Sequence, residues 1–191
     1  PVTAVTFAAK LKAVLSGESD GKVTVWGVAN GTQQLVMYPS NLSVKAIAYV
    51  PQLASILVAS GGRGVGNITL MAPATGEKTL KILCAESPLS VAYCEDPPGI
   101  VSANGKRVTL WEPASGEKLW EVETERANMV SAFPVPSLQA IVSGDETGKV
   151  TLWAAQDGAR QSEIVCGDGA MRTMAYAPDL RAVITAGTGR M

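Results

Sequence analysis

The chain has 191 residues, 47% of them hydrophobic, which is enough to bury a core and too apolar for a disordered polymer. Its 16 Lys and Arg against 17 Asp and Glu give a formal charge of −1, so it offers no broad positive field to nucleic acid or anionic lipid. The lack of any histidine removes Ser-His-Asp and Cys-His arrangements, H-E-x-x-H metal sites and the commonest proton shuttle near neutral pH.

In chain order the predicted elements recur. A strand from Val2, VTAVTF, precedes the apolar run AVLSG, the turn residues ESDGK, the strand VTVW ending at Trp26, a turn at Gly31 and a last strand, LVMY, to Tyr38. The second pass reads VKAIAY, PQL, ILVAS, the glycine-rich GGRGVGN, ITLM ending at Met71, and a turn at Gly76. The third reads LSVAY, DPP, IVSANGKR, VTLW ending at Trp111, a turn at Gly116 and LWEVE. The fourth reads MVSAF, PVPS, IVSGDETGK, VTLW ending at Trp153 and a turn at Gly158; a fifth begins with MRTMAY and PDL.

The third-strand ends lie 45, 40 and 42 residues apart. That is the ~40–45-residue period of a four-stranded propeller blade. Gly with Asn or Asp at the reversals tolerates the positive φ of tight hairpins. Proline after the first strand is expected to end it, because proline cannot donate to the ladder. The expected fold is therefore all-β: a β-propeller of four-stranded antiparallel blades, about 2–40, 44–84, 89–124 and 129–166, with a partial blade at 171–191. Residues 1–191 are read as one domain. No 3.6-residue period interrupts the pattern.

These residues resemble the WD-repeat propellers, over nearly the whole chain. SGESDGKVTVW, from Ser16 to Trp26, matches that family's Ser-Gly-x-x-Asp-Gly and third-strand pattern except for the final Asp. The other copies drift: Gly27, Ala72, Glu112 or Ala154 follows the aromatic position, and Met71 replaces Trp. Without histidine the family's His-to-Asp-to-Trp hydrogen-bond network cannot form, so turn chemistry and apolar packing are expected to hold the blades. Four and a half blades leave an apolar face bare at each end, so a ring of about seven is expected, completed by further chain or another subunit.

The resemblance implies a non-catalytic protein-protein interaction scaffold, a subunit of a larger intracellular assembly with other proteins as partners. No cofactor, nucleic-acid or membrane partner is expected. By position, the loop face that this family commonly uses would present Glu18, Ser19, Ser43, Lys45, Arg63, Lys106, Arg126, Asn128, Asp145, Glu146 and Arg172. A second resemblance carries the alternative, a cofactor-binding or enzymatic propeller. ASGEKLWEVE is similar to the T-G-x-x-x-W turn of quinoprotein propellers, which pack blades through a Trp placed as Trp120 follows Gly116.

Other chemistry-bearing patterns read as structure. GESDGKVT and GDETGKVT have one residue too few for a phosphate loop and run into a strand rather than a helix N-terminus. The cluster Gly61, Gly62, Gly64 and Gly66 lacks a following helix and is read as an enlarged turn. Paired carboxylates at Glu95 and Asp96, Asp145 and Glu146, and Glu18 with Asp20 are expected to be solvated loop charges. Trp26, Trp111 and Trp153 are read as core, and Trp120 as packing or an exposed contact. Cys84, Cys94 and Cys166 are odd in number and lack C-x-x-C spacing, so reduced, buried thiols are expected. No apolar run approaches the ~20 residues of a membrane span. The Asn-x-Ser/Thr triplets at Asn30, Asn41 and Asn67 are read as turn chemistry.

Overall fold

A computed structural model describes residues 1–124, 127–167 and 169–188. The first blade is β1 (Val2–Ala8), β2 (Ala13–Glu18), β3 (Val23–Gly27) and β4 (Gln33–Met37), and the second is β5 (Val44–Val50), β6 (Ser55–Gly62), β7 (Val65–Met71) and β8 (Lys78–Cys84). The third is β9 (Pro88–Glu95), β10 (Pro98–Asn104), β11 (Arg107–Trp111) and β12 (Lys118–Glu123). The fourth is β13 (Met129–Val135), β14 (Ala140–Asp145), β15 (Lys149–Ala154) and β16 (Arg160–Val165), and β17 (Met171–Ala177) with β18 (Ala182–Gly187) forms a two-stranded sheet. Each four-stranded sheet is an antiparallel meander in which sequence neighbours pair. These are propeller blades.

The chain divides into two compact units, 1–91 and 92–191. Within the first, Leu15, Val23, Val25 and Met37 of blade one pack on Val44, Ile47, Ile56, Val58 and Met71 of blade two. Within the second, Val101, Val108 and Leu110 meet Ala132, Ile141 and Trp153, while Val142 and Val150 meet Met171 and Met174. Alternation explains the layering: in β15, Val150 packs toward β17 while Trp153, on the other face, packs toward β10 and β11.

The predicted turns hold, with Gly21, Gly105 and Gly148 at φ of 89°, 50° and 86°, and Gly31, Gly76, Gly116 and Gly158 at 65–75°. Two local expectations need correction. Gly61 pairs with Gly66 and Gly62 with Val65, so the glycine cluster extends a hairpin whose turn is Arg63 and Gly64, rather than opening a large loop. Small residues permit this because Ser87 and Pro88 lie where Cβ atoms at Gly61 and Gly66 would stand. Nor does proline end every first strand: β13 continues through Pro134, which pairs with Ile141. The first strand is an edge strand, where a missing N–H costs no ladder bond.

Candidate binding surface

One hydrogen bond recurs at the same end of four sheets. The N–H of Ser19 donates to Pro1 O (2.9 Å), Gly61 to Ser43 O (2.9 Å), Glu146 to Asn128 O (2.9 Å) and Thr188 to Ala170 O (3.0 Å). In the first and fourth blades and the two-stranded sheet the residue just beyond the second strand is tied to the residue before the first, and in the second blade, whose hairpin is longer, the donor is Gly61, still inside β6. The loops that enter a blade and the turns between its second and third strands are thereby held together at one edge.

In unit one, Ser19 and Arg63 are exposed on those turns, while Glu18, Ser43 and Lys45 are half-buried. Glu18 is ion-paired with Lys22, and that hydrogen bond raises the lysine pKa, with burial opposing it. In unit two, Lys106, Asn128, Glu146 and Arg172 are exposed. Asn128 Nδ2 donates to Glu146 Oε1 at 3.1 Å, joining the two loops a second time. The carbonyl of Lys106 accepts from the N–H and Oγ1 of Thr124 at 2.8 and 3.0 Å. Asp145 is buried, and its Oδ1 accepts from Thr147 N and Oγ1 and from Lys149 N. Its carboxylate shapes the turn rather than facing outward. Arg126 lies outside the described residues.

The side chains that recur most regularly are not on the loops. Trp26 Nε1 donates to Ser16 Oγ, Trp111 Nε1 to Ser102 Oγ and Trp153 Nε1 to Ser143 Oγ, each at 2.8 Å. The expectation that turns and apolar packing alone hold the blades is thus corrected: a two-member polar link survives inside three of them. In the second blade Met71 has no donor, and the residue across from Thr69, where the other blades carry the serine, is Val58. The acceptor disappears together with the donor, which avoids a buried unpaired hydroxyl. This pairing was legible in the sequence once the serines were aligned with the tryptophans.

Trp120 is also structural. Its Nε1 donates to Ala155 O at 3.0 Å, and its ring packs on Gly158, 2.9 Å from where a Cβ there would stand. Leu35 occupies the matching place against Gly76 in unit one. A fourth strand thus packs against the next blade's turn in both units, in unit one through Met37 and Leu35 without an indole.

Charge clusters on the outer faces of the third and fourth blades. Glu121 accepts from Thr109 Oγ1 at 3.1 Å and pairs with Lys118 (2.8 Å) and Arg107 (3.9 Å). Burial pushes its pKa up, but the hydrogen bonds from Lys118 and Thr109 and the two cations outweigh it and leave the carboxyl below its ordinary value. Glu163 repeats the place, between Lys149 (2.9 Å) and Arg160 (3.4 Å), in a cleft of about 600 Å³ beside Asp145 and Trp153. Burial raises the Cys84 thiol to about 11 and also raises Cys94, so neither is an activated nucleophile, whereas Cys166, expected to be buried, is exposed just beyond the edge strand β16. Among the described residues no group of three Cys, Asp or Glu is placed to hold a metal ion, and no helix is long and apolar enough to cross a membrane.

No protein-family model matches the chain. It is similar to "Cell division cycle 20.6, cofactor of APC complex" of Arabidopsis thaliana, 28% identical over 153 residues, covering 74% of this chain and 35% of that protein. "Cell division cycle 20.5, cofactor of APC complex" of the same plant is 27% identical over 154 residues, covering 74% and 34%. "WD repeat-containing protein 3" of Mus musculus is 25% identical over 101 residues, covering 53% of this chain and 10% of that protein. The chain thus spans about a third of the length of the plant relatives. The relatives support a WD-repeat kinship at low identity.

Proposed function

We propose that this chain is a run of degenerate WD-repeat blades and works as a non-catalytic scaffold subunit in a larger protein assembly. The observation that carries the reading is the recurring bond that ties the entry loop to the end of the second strand in blades one, two and four and in the two-stranded sheet. It fixes variable side chains to a rigid sheet edge, the usual way a scaffold presents a recognition surface. Ser19 and Arg63 in unit one, and Lys106, Asn128, Glu146 and Arg172 in unit two, are the exposed residues at these blade edges. Two plant relatives, named as cofactors of a complex, support partnership with other proteins.

A ring of about seven blades, completed by further chain or by another subunit, fits the bare faces. Val5 and Phe7 are 67% and 60% exposed, and they share a face with the half-buried Trp26. In unit two the matching tryptophan, Trp153, is covered by the preceding blade and is 7% exposed. The quinoprotein alternative rests on Trp120 alone, since Leu35 holds the matching position in unit one.

The test is native mass spectrometry of the protein purified from its source, with the triple variant Arg63→Glu, Lys106→Glu and Arg172→Glu. The expected result is a stoichiometric complex that the triple variant dissociates and Lys10→Glu, on the opposite edge, leaves intact. A native polypeptide of 191 residues that stays a monodisperse monomer would overturn the reading.

A further inference from the structure

Unit one contains a second open groove, of about 680 Å³, between the end of β4 with its following loop and the outer strands β7 and β8. Its volume lies within the roughly 300–1,000 Å³ of ligand-binding clefts. None of the loop-edge residues named above lines it. Tyr38, Val65 and Leu83 do, and they remain 58%, 54% and 75% exposed, so apolar surface stands open inside the groove. Lys78 and Lys81 line it as well, together with one carboxylate, Asp20, which is ion-paired with neither lysine among the described residues.

The register shows what is unusual about those lysines. Lys78 pairs with Met71 as Lys118 pairs with Trp111 and Arg160 with Trp153. Lys81 pairs with Thr69 as Glu121 pairs with Thr109 and Glu163 with Thr151. In the third and fourth blades the carboxylate at this place neutralises the neighbouring cations. In the second blade a lysine stands there instead, and neither Lys78 nor Lys81 is ion-paired among the described residues. Two adjacent cations lacking the carboxylate that their counterparts have, beside exposed apolar side chains, call for a carboxylate from outside.

We propose that this groove is a docking site for an acidic peptide segment of a protein partner, one that brings carboxylates to Lys78 and Lys81 and an apolar side chain to Tyr38 and Leu83. A peptide fits better than a polyanion, because a nucleic-acid backbone or lipid headgroup would leave the apolar wall uncovered. The groove borders the loop edge at Asp20 and Leu42 but shares none of the contact residues proposed there, so the lysine variants and Arg63→Glu tell failure of one site from failure of the other.

The test is fluorescence polarisation on the full chain, using a fluorescein-labelled octapeptide of alternating glutamate and leucine, with lysine replacing glutamate in the control. The acidic peptide is expected to bind at least tenfold more tightly than the control, about 1.4 kcal/mol, and to weaken with added salt. The double variant Lys78→Glu and Lys81→Glu should cost at least tenfold, Leu83→Ser severalfold, and Arg63→Glu nothing. All of these residues are exposed, so the fold tolerates the changes. Absence of saturable binding, binding indifferent to the two lysines, or equal competition by an oligonucleotide or phosphatidylserine vesicles would overturn the proposal.

Discussion

Removing the serine hydroxyl from each Trp-Ser link separates burial from bonding, because the same 2.8 Å contact occurs in two environments. Trp111 and Trp153 are 9% and 7% exposed, and their acceptors Ser102 and Ser143 are 0% and 1% exposed. Ser143→Ala therefore leaves an indole N–H with neither serine nor water, a cost of about 1–3 kcal/mol. Ser102→Ala should match it. Trp26 is only half-buried, so water can replace the hydroxyl and Ser16→Ala should cost ~0.5 kcal/mol or less. Trp153→Phe removes the donor instead, and the double variant with Ser143→Ala leaves neither group unpaired. The pair should then couple by about 1 kcal/mol, the double costing less than the sum. Urea midpoints give the totals, and indole N–H exchange followed by NMR reads each tryptophan separately. Equal costs for Ser16→Ala and Ser143→Ala, or strict additivity in the cycle, would refute the reasoning.

Gly158→Ala should destabilise by at least ~2 kcal/mol, since φ is 74° and the new Cβ would stand 2.9 Å from Trp120, whereas Gly31→Ala, at φ 65° with nothing within 4 Å, should lose only the ~1–2 kcal/mol backbone cost; thermal denaturation ranks the two. Glu121 has a lowered folded pKa, so its contribution is complete above the ordinary glutamate value of ~4.3 and is lost as pH falls through the folded value. Urea midpoints taken across that acid range should fall more steeply for the native chain than for Glu121→Gln. A thiol reagent at pH 8 should label the exposed Cys166 quickly, while the buried Cys84 and Cys94 wait for local opening; peptide mass spectrometry of a time course distinguishes them.

The blade was legible because its signals are local. A third strand such as VTLW and a turn glycine are dictated by nearest-neighbour geometry, and both repeat at one period. What escaped reading depends on contacts made across the sheet. Lys12, Ala54, Gln139 and Arg181 all adopt φ of 46–49° after the first strand of their blades, with no glycine or asparagine to announce it. There the N–H of Lys12, Gln139 and Arg181 closes a short 3-10 turn, a bond that composition does not reveal. Asp145 and Glu146 are adjacent carboxylates with the same apparent loop setting, yet one is buried under three donors and the other reaches Asn128. Only Thr147, two residues on and able to donate twice, distinguishes them.

The repeat also separates two kinds of position in the fourth strand. Across from the buried third-strand threonines Thr24, Thr69, Thr109 and Thr151 stand Val36, Lys81, Glu121 and Glu163. The threonine is fixed because it sits inside the sheet. Its partner is free to change, because it lies at the outer edge where the blade meets water. An apolar, a basic and two acidic residues therefore occupy one structural place without disturbing the blade beneath. That freedom gives each outer face its own charge on a common frame, and an acidic partner can distinguish the second blade from the third and fourth by the single exchange of carboxylate for lysine.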